Sequence, residues 1–142
     1  MNKNEKEMAN KDLYDIAESA RAYSYCPYSG ISVGAALHTE DGRVYLGSNI
    51  ENSAYSPGVC AERVAIFKAV SEGKRRFKAI AVAGGRVGEP SERAFPPCGV
   101  CRQVMEEFCD GDFEIILKDG DSTKSYKLGE LLPLAFGTEE LG

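Results

Sequence analysis

The sequence predicts an α/β protein, a three-layer α/β/α sandwich built on a mixed, roughly five-stranded sheet. Three observations carry that expectation. The hydrophobic period alternates between helical and strand-like along the chain. Asp41-Gly42 and Asp119-Gly120 punctuate strand-like stretches as tight turns. Ala79 to Ala83 is an unbroken apolar run, as expected of a strand covered on both faces.

The elements follow in order. Leu13, Ile16, Ala17 and Ala20 fall at helical spacing, predicting an amphipathic helix from about Asn10 to Tyr25. Cys26-Pro27-Tyr28-Ser29-Gly30 breaks it. Ile31, Val33, Ala35 and Leu37 alternate with small residues, a strand whose hairpin partner is Val44 to Leu46. A polar loop, Asn49 to Gly58, leads to a helix from about Cys60 to Glu72, capped by Gly73. After the Ala79–Ala83 strand, Gly84 to Pro97 reads as a loop. A helix then runs from about Cys98 to Cys109, followed by strands at Phe113–Leu117 and near Ser125–Leu128. A short terminal segment from Leu131 carries Phe136. Two crossovers that advance across the sheet in one direction put both crossover helices on one face and both their N-termini at one sheet edge.

The bulk properties bound the function. At 142 residues the chain is expected to form one domain, 1–142, with residues 1–9 as a flexible tail. The net charge of −5 argues against a nucleic-acid backbone as partner. No stretch approaches the roughly 18 apolar residues of a membrane span. Met1 to Lys11 is polar, without the apolar core of a signal peptide, so the expected setting is cytoplasmic. The five cysteines are then expected to be reduced, and their odd number points to metal or catalysis before disulfides. His38, the lone histidine, sits near a hairpin turn and is expected at the surface.

Two motifs carry chemistry: Cys60-Ala61-Glu62-Arg63 at one helix start and Pro97-Cys98-Gly99-Val100-Cys101-Arg102-Gln103 at the next. A Cys-x-x-Cys lets two thiolates bind one metal from a single helical turn, and Cys60 can add a third. Thiolate sulfur suits zinc, and three protein ligands plus water is the pattern of a catalytic site. Zinc held by three thiolates carries one excess negative charge. Two helix N-termini offset part of it, and Arg63 is placed to donate to the thiolates. Glu62 can face the water and move protons, a role typically worth 10²–10⁴-fold. Alone, Glu62 would read as a first-turn acid complementing the helix dipole, and Arg63 as a solvated charge.

These motifs match the zinc deaminase signature, in which a Glu beside the first ligand is followed by Pro-Cys-x-x-Cys. From Ala22 to Phe136 the sequence resembles the small, all-cysteine, homotetrameric cytidine deaminases. The resemblance includes Tyr28-Ser29, Val33 to Leu37, Gly47 to Tyr55 and Leu131 to Phe136. It implies hydrolytic deamination of cytidine and deoxycytidine at C4 of the base, with one zinc per chain on Cys60, Cys98 and Cys101. It implies Glu62 as proton shuttle and Arg63 as the group neutralising the thiolates. Asn49 and Glu51 would bind the ribose, and Ala61 would meet the pyrimidine through its backbone. Ile31 and Val33 would form the wall beside the base. Tyr55 would lie close to the site or a subunit contact, and Phe136 would cover the base of a neighbouring subunit. Many relatives carry Phe at the position of Ile31, so the wall keeps an apolar residue there without a stacking ring. Pro57-Gly58-Val59 also departs from relatives that often carry Met-Cys-Asn.

Three other readings share parts of this pattern. A deaminase of a modified nucleoside or a blasticidin-like antibiotic shares both zinc motifs but usually diverges at Asn49-Ile50-Glu51-Asn52. A structural zinc module needs a fourth thiolate from Cys26 or Cys109, which read as small hydrophobes. A thiol redox protein could use Cys98-Gly99-Val100-Cys101 but leaves Cys60-Ala61-Glu62 unexplained.

Overall fold

The computed structural model describes residues 8–142. Most of the expected tail, residues 1–9, therefore lies outside the described residues. The elements are α1 (Asn10–Ala20), a 3-10 turn (Arg21–Tyr23), β1 (Ile31–Thr39), β2 (Val44–Ser48), α2 (Ala61–Ser71), β3 (Phe77–Arg86), α3 (Gly99–Phe108), β4 (Glu114–Asp119), β5 (Ser122–Lys127), α4 (Leu128–Leu131) and a terminal 3-10 turn (Thr138–Leu141). The sheet has five strands in the order β2-β1-β3-β4-β5. β1 is antiparallel to both neighbours, β3 and β4 are parallel, and β4 and β5 form an antiparallel hairpin. This is the expected mixed sheet.

Alternation along the strands sorts the core into two layers. Val33, Ala35 and Leu37 of β1 and Ile80 and Val82 of β3 pack with α2 and α3 on one face. Ala36, Ala79, Ala81 and Ala83 pack with α1 on the other. Leu37, Ile66, Ile80 and Ile115 are fully buried, each contributing roughly 1.5–3 kcal/mol of transfer free energy. Glycines set the closest approaches. A Cβ at Gly34 would overlap the carbonyl of Ala17, so α1 rests directly on β1. A Cβ at Gly47 would overlap the carbonyl of Ala61 and crowd Ala65, so the small face of α2 rests on β2. That contact fixes the first turn of α2, where the chemistry lies. β2-α2-β3 passes over β1, β3-α3-β4 joins adjacent strands, and both crossover helices share a face.

The structure corrects several expected boundaries. α1 stops at Ala20 and not near Tyr25, because the chain beyond the 3-10 turn is needed in extended form. The Tyr25 amide donates to the Asn49 carbonyl (3.0 Å) and its carbonyl accepts from the Glu51 amide (2.8 Å). β3 is twice the length of the Ala79–Ala83 run, because β1 pairs with it from Ile31↔Arg86 to Thr39↔Phe77. His38 is buried, only 4% exposed, and not a surface residue. β1 runs on through Thr39, which sets His38 in the sheet between Val44 and Ala79. Burial, with help from Lys78, pushes its imidazole below the usual pKa.

Candidate metal centre and adjoining cavity

Both crossover helices begin on cysteines. Cys60 is the N-cap of α2 and Cys98 the N-cap of α3, and Cys101 lies in the first turn of α3. Neither capping side chain accepts a hydrogen bond from a backbone amide of its helix. Ser, Thr, Asp or Asn would normally fill such a position and cap it. The thiols instead converge on one another. The three Sγ atoms all lie within 4.8 Å, and among the described residues they are the one group of three or more metal-capable side chains. Cys60 Sγ and Cys98 Sγ are 3.8 Å apart. Zinc–sulfur bonds of about 2.3 Å in a tetrahedron place sulfurs about 3.8 Å apart, so the trio fits zinc. Neither Cys26 nor Cys109 joins it. Cys109 packs against the core, and burial pushes its thiol up to about 12, as befits an inert side chain.

Charge is managed around the trio. The Arg63 guanidinium donates to Cys60 Sγ at 3.3 Å. Hydrogen bonds from Cys101 and Arg63 draw the Cys60 thiol down to about 5. Its bond to Cys60 and its burial push the Cys101 thiol up. Without metal, the trio therefore shares its negative charge unevenly, and a bound cation would stabilise all three thiolates. Glu62, in the first turn of α2, is 4% exposed. Burial pushes its carboxyl up to about 7, the Cys60 charge adding to the shift and Arg63 opposing it.

A cavity of about 690 Å³ opens beside this centre, a size suited to a small organic ligand. Ile31, Val33, Asn49, Glu51, Tyr55, Cys60, Ala61, Glu62, Arg63 and Cys98 all line it. Ten of the expected site residues thus meet at one place. Cys101 lies buried in the trio rather than on the cavity wall, and Phe136 is not among the lining residues. Phe136 is 59% exposed, and its segment is tied to α3. Arg102 donates to the Leu131 carbonyl (2.7 Å) and Gln103 to the Phe136 carbonyl (2.8 Å).

Asn49 and Glu51 do more than face the cavity. The Asn49 amide accepts from Val33 N–H (2.8 Å) and donates to the Ile31 carbonyl (2.9 Å), clipping the start of β1. It keeps one N–H and one lone pair for another partner. The Glu51 carboxylate accepts from the amides of Tyr28 (2.9 Å) and Ser29 (3.1 Å) and from the Ser29 hydroxyl. These donors, the hydroxyl foremost, hold its carboxyl below the usual range. Ser29 also accepts from Ile31 N–H at 3.0 Å. The loop beyond Glu51 carries Ser56 at φ 81°, a left-handed conformation for a residue with a side chain. Sequence reasoning did not single out Ser29 as a clamp, nor Phe95 and Pro96 as cavity residues.

Three converging thiols, no fourth protein ligand among the described residues and a neighbouring buried carboxylate define an open zinc centre beside a ligand cavity. The family model of the cytidine and deoxycytidylate deaminase zinc-binding region matches residues 8–116. The chain is 52% identical over 130 residues to the cytidine deaminase of Sporosarcina psychrophila, covering 89% of this chain and 91% of that one. It is 47% identical over 136 residues to the cytidine deaminase of Halalkalibacterium halodurans, covering 94% and 98%. The crystal structure of the cytidine deaminase from Burkholderia pseudomallei superposes with a TM-score of 0.81 at 42% identity, covering 91% of this chain and all of that one. The chain belongs to the cytidine and deoxycytidylate deaminase family.

Proposed function

We propose that this chain hydrolyses free cytidine and deoxycytidine to uridine and deoxyuridine, releasing ammonia. The observation that carries this reading is the buried Glu62 carboxylate beside three converging thiols, with Glu62, Cys60 and Cys98 on the wall of a cavity of ligand size. In this reading Cys60, Cys98 and Cys101 hold one zinc per chain. Bound zinc supplies Lewis-acid activation of water.

The remaining work falls to the chain's own side chains. Glu62, with a carboxyl near neutrality when buried, takes a proton from the attacking water. It delivers that proton to N3 of the pyrimidine, then carries the remaining proton of the hydroxyl added at C4 to the departing 4-amino group. Water adds oxygen at C4, the C4–N bond breaks, and ammonia leaves. Arg63 holds its charge against Cys60 and offsets the excess negative charge of the trio. Ala61 presents backbone to the base, and Ile31 and Val33 form its wall. The free amide edge of Asn49 and the carboxylate of Glu51 receive the sugar hydroxyls.

The same reading treats residues 1–142 as one deaminase domain that works as a homotetramer with shared sites. Its support is the exposure of Tyr55 and Phe136, large apolar side chains placed for a neighbour. Phe136 then covers the base in an adjacent subunit's cavity, and Tyr55 lies at the contact. The setting we propose is the cytoplasm, where free thiols persist and nucleosides are salvaged. Among the described residues no helix is long and apolar enough to cross a membrane.

The reading is tested by following cytidine absorbance and ammonia together, with free cytosine in parallel. Stoichiometric loss of cytidine and release of ammonia, with cytosine left nearly untouched, is the expected result. Equal efficiency on cytosine would remove the sugar from recognition.

A further inference from the structure

Three aromatic side chains line the cavity, and two of them sit at its rim. Tyr55 is wholly exposed and Tyr28 largely so. Phe95 alone is half-buried and packs against the core on the face shared by α2 and α3. Its ring lies over Gly84. A Cβ at that position would fall 2.5 Å from the ring Cγ and 2.7 Å from both Cδ atoms, well inside contact distance. Gly84 is the cross-strand partner of Val33, itself a wall residue. The missing side chain on β3 is therefore the seat that lets an aromatic ring reach the wall beside Val33.

The arm carrying the ring is stiff. Phe95 precedes Pro96-Pro97, and the proline after it biases it to an extended backbone. Pro97 is fully buried, and its carbonyl accepts from Arg102 Nε at 2.8 Å. Cys98 follows directly, so the ring is held at a fixed offset from the metal centre. A ring so constrained loses little conformational freedom when a flat ligand packs on it.

We infer that Phe95, seated on Gly84, is the aromatic wall against which the pyrimidine ring of the nucleoside packs, and so a base-binding residue of this site. The inference rests on the functional reading above. Phe95→Leu keeps an apolar side chain but removes the ring. An aromatic pair exceeds plain apolar contact by enough to change binding about 3- to 10-fold. The variant should raise KM by that factor for cytidine and deoxycytidine alike, because the sugar is not involved, and leave kcat within about 2-fold. The dissociation constant of uridine, measured by calorimetry, should rise by the same factor at unchanged zinc content. Gly84→Ala, which displaces the ring without removing it, should weaken uridine binding in the same direction.

A merely structural Phe95 gives another pattern. Phe95→Leu would lower the melting temperature and leave both KM and uridine binding at parent values, which overturns the inference. If Gly84→Ala fails to fold, the Phe95→Leu result decides alone. A parent protein that neither turns over cytidine nor binds uridine overturns the functional reading itself. An active parent with an unaltered Phe95→Leu variant overturns only the aromatic wall.

Discussion

Glu62→Gln should move activity and stability in opposite directions. The amide fills the same space, so the first turn of α2 and the thiol trio stay in place, but it cannot carry a proton. Turnover should fall at least ~10²-fold, a loss of about 2.7 kcal/mol in transition-state stabilisation. Stability follows from burial. The folded-state carboxyl sits at about 7 in place of its ordinary 4.5. Between those values the unfolded chain releases the proton while the folded chain keeps it, so zinc-free parent protein loses stability as pH rises through that window. The loss is complete above about pH 7 and amounts to about 3 kcal/mol. Below pH 4.5 there is none. Glutamine is neutral throughout and avoids the penalty. Zinc-free Glu62→Gln should therefore match the parent near pH 4.5 and exceed it at pH 8, on the order of 10 °C in melting temperature. Thermal unfolding of chelated parent and variant at both pH values reads this directly. A stability difference independent of pH would refute burial as the cause of the shift. Turnover within 10-fold of the parent would refute Glu62 as the shuttle.

Two further outcomes are expected. Asn49→Ala strands the Val33 amide and the Ile31 carbonyl, so it should destabilise the fold by about 1–3 kcal/mol in denaturant titration and raise KM for cytidine, whereas an effect on KM alone would mean the β1 clip is dispensable. Co-refolded mixtures of Glu62→Gln and Phe136→Ala chains should exceed the weighted sum of the two homomeric variants at subsaturating cytidine; strict additivity would mean Phe136 does not roof a neighbour's site.

The zinc trio was legible because its chemistry is local. Cys98 and Cys101 share one helical turn, and two right-handed crossovers advancing across the sheet in one direction bring Cys60 to the same sheet edge. Helices α2 and α3 likewise fell within a residue or two of expectation, since each begins on a cysteine N-cap, α2 is closed by Gly73 and α3 carries an apolar stripe. What escaped was set by long-range pairing. The early end of α1 comes from Tyr25 bonding to Asn49 and Glu51, which no local propensity encodes. The burial of His38 depends on how far β1 stays paired on both sides. The cavity role of Phe95 was hidden in a loop without a motif. A signal did exist in Gly84, a glycine closing an apolar strand run, since such glycines mark close approach by another group. The side-chain clamp of Ser29 on Glu51 spans 22 positions and only the fold reveals it.

If one zinc on Cys60, Cys98 and Cys101 enables cytidine deamination, activity must follow occupancy of those three thiols, which titrating zinc into chelated protein while following cytidine loss will show. Activity should be absent in the chelated state, rise in proportion to added zinc and saturate at one zinc per chain. Deamination that survives complete zinc removal, or that saturates at another stoichiometry, would contradict it.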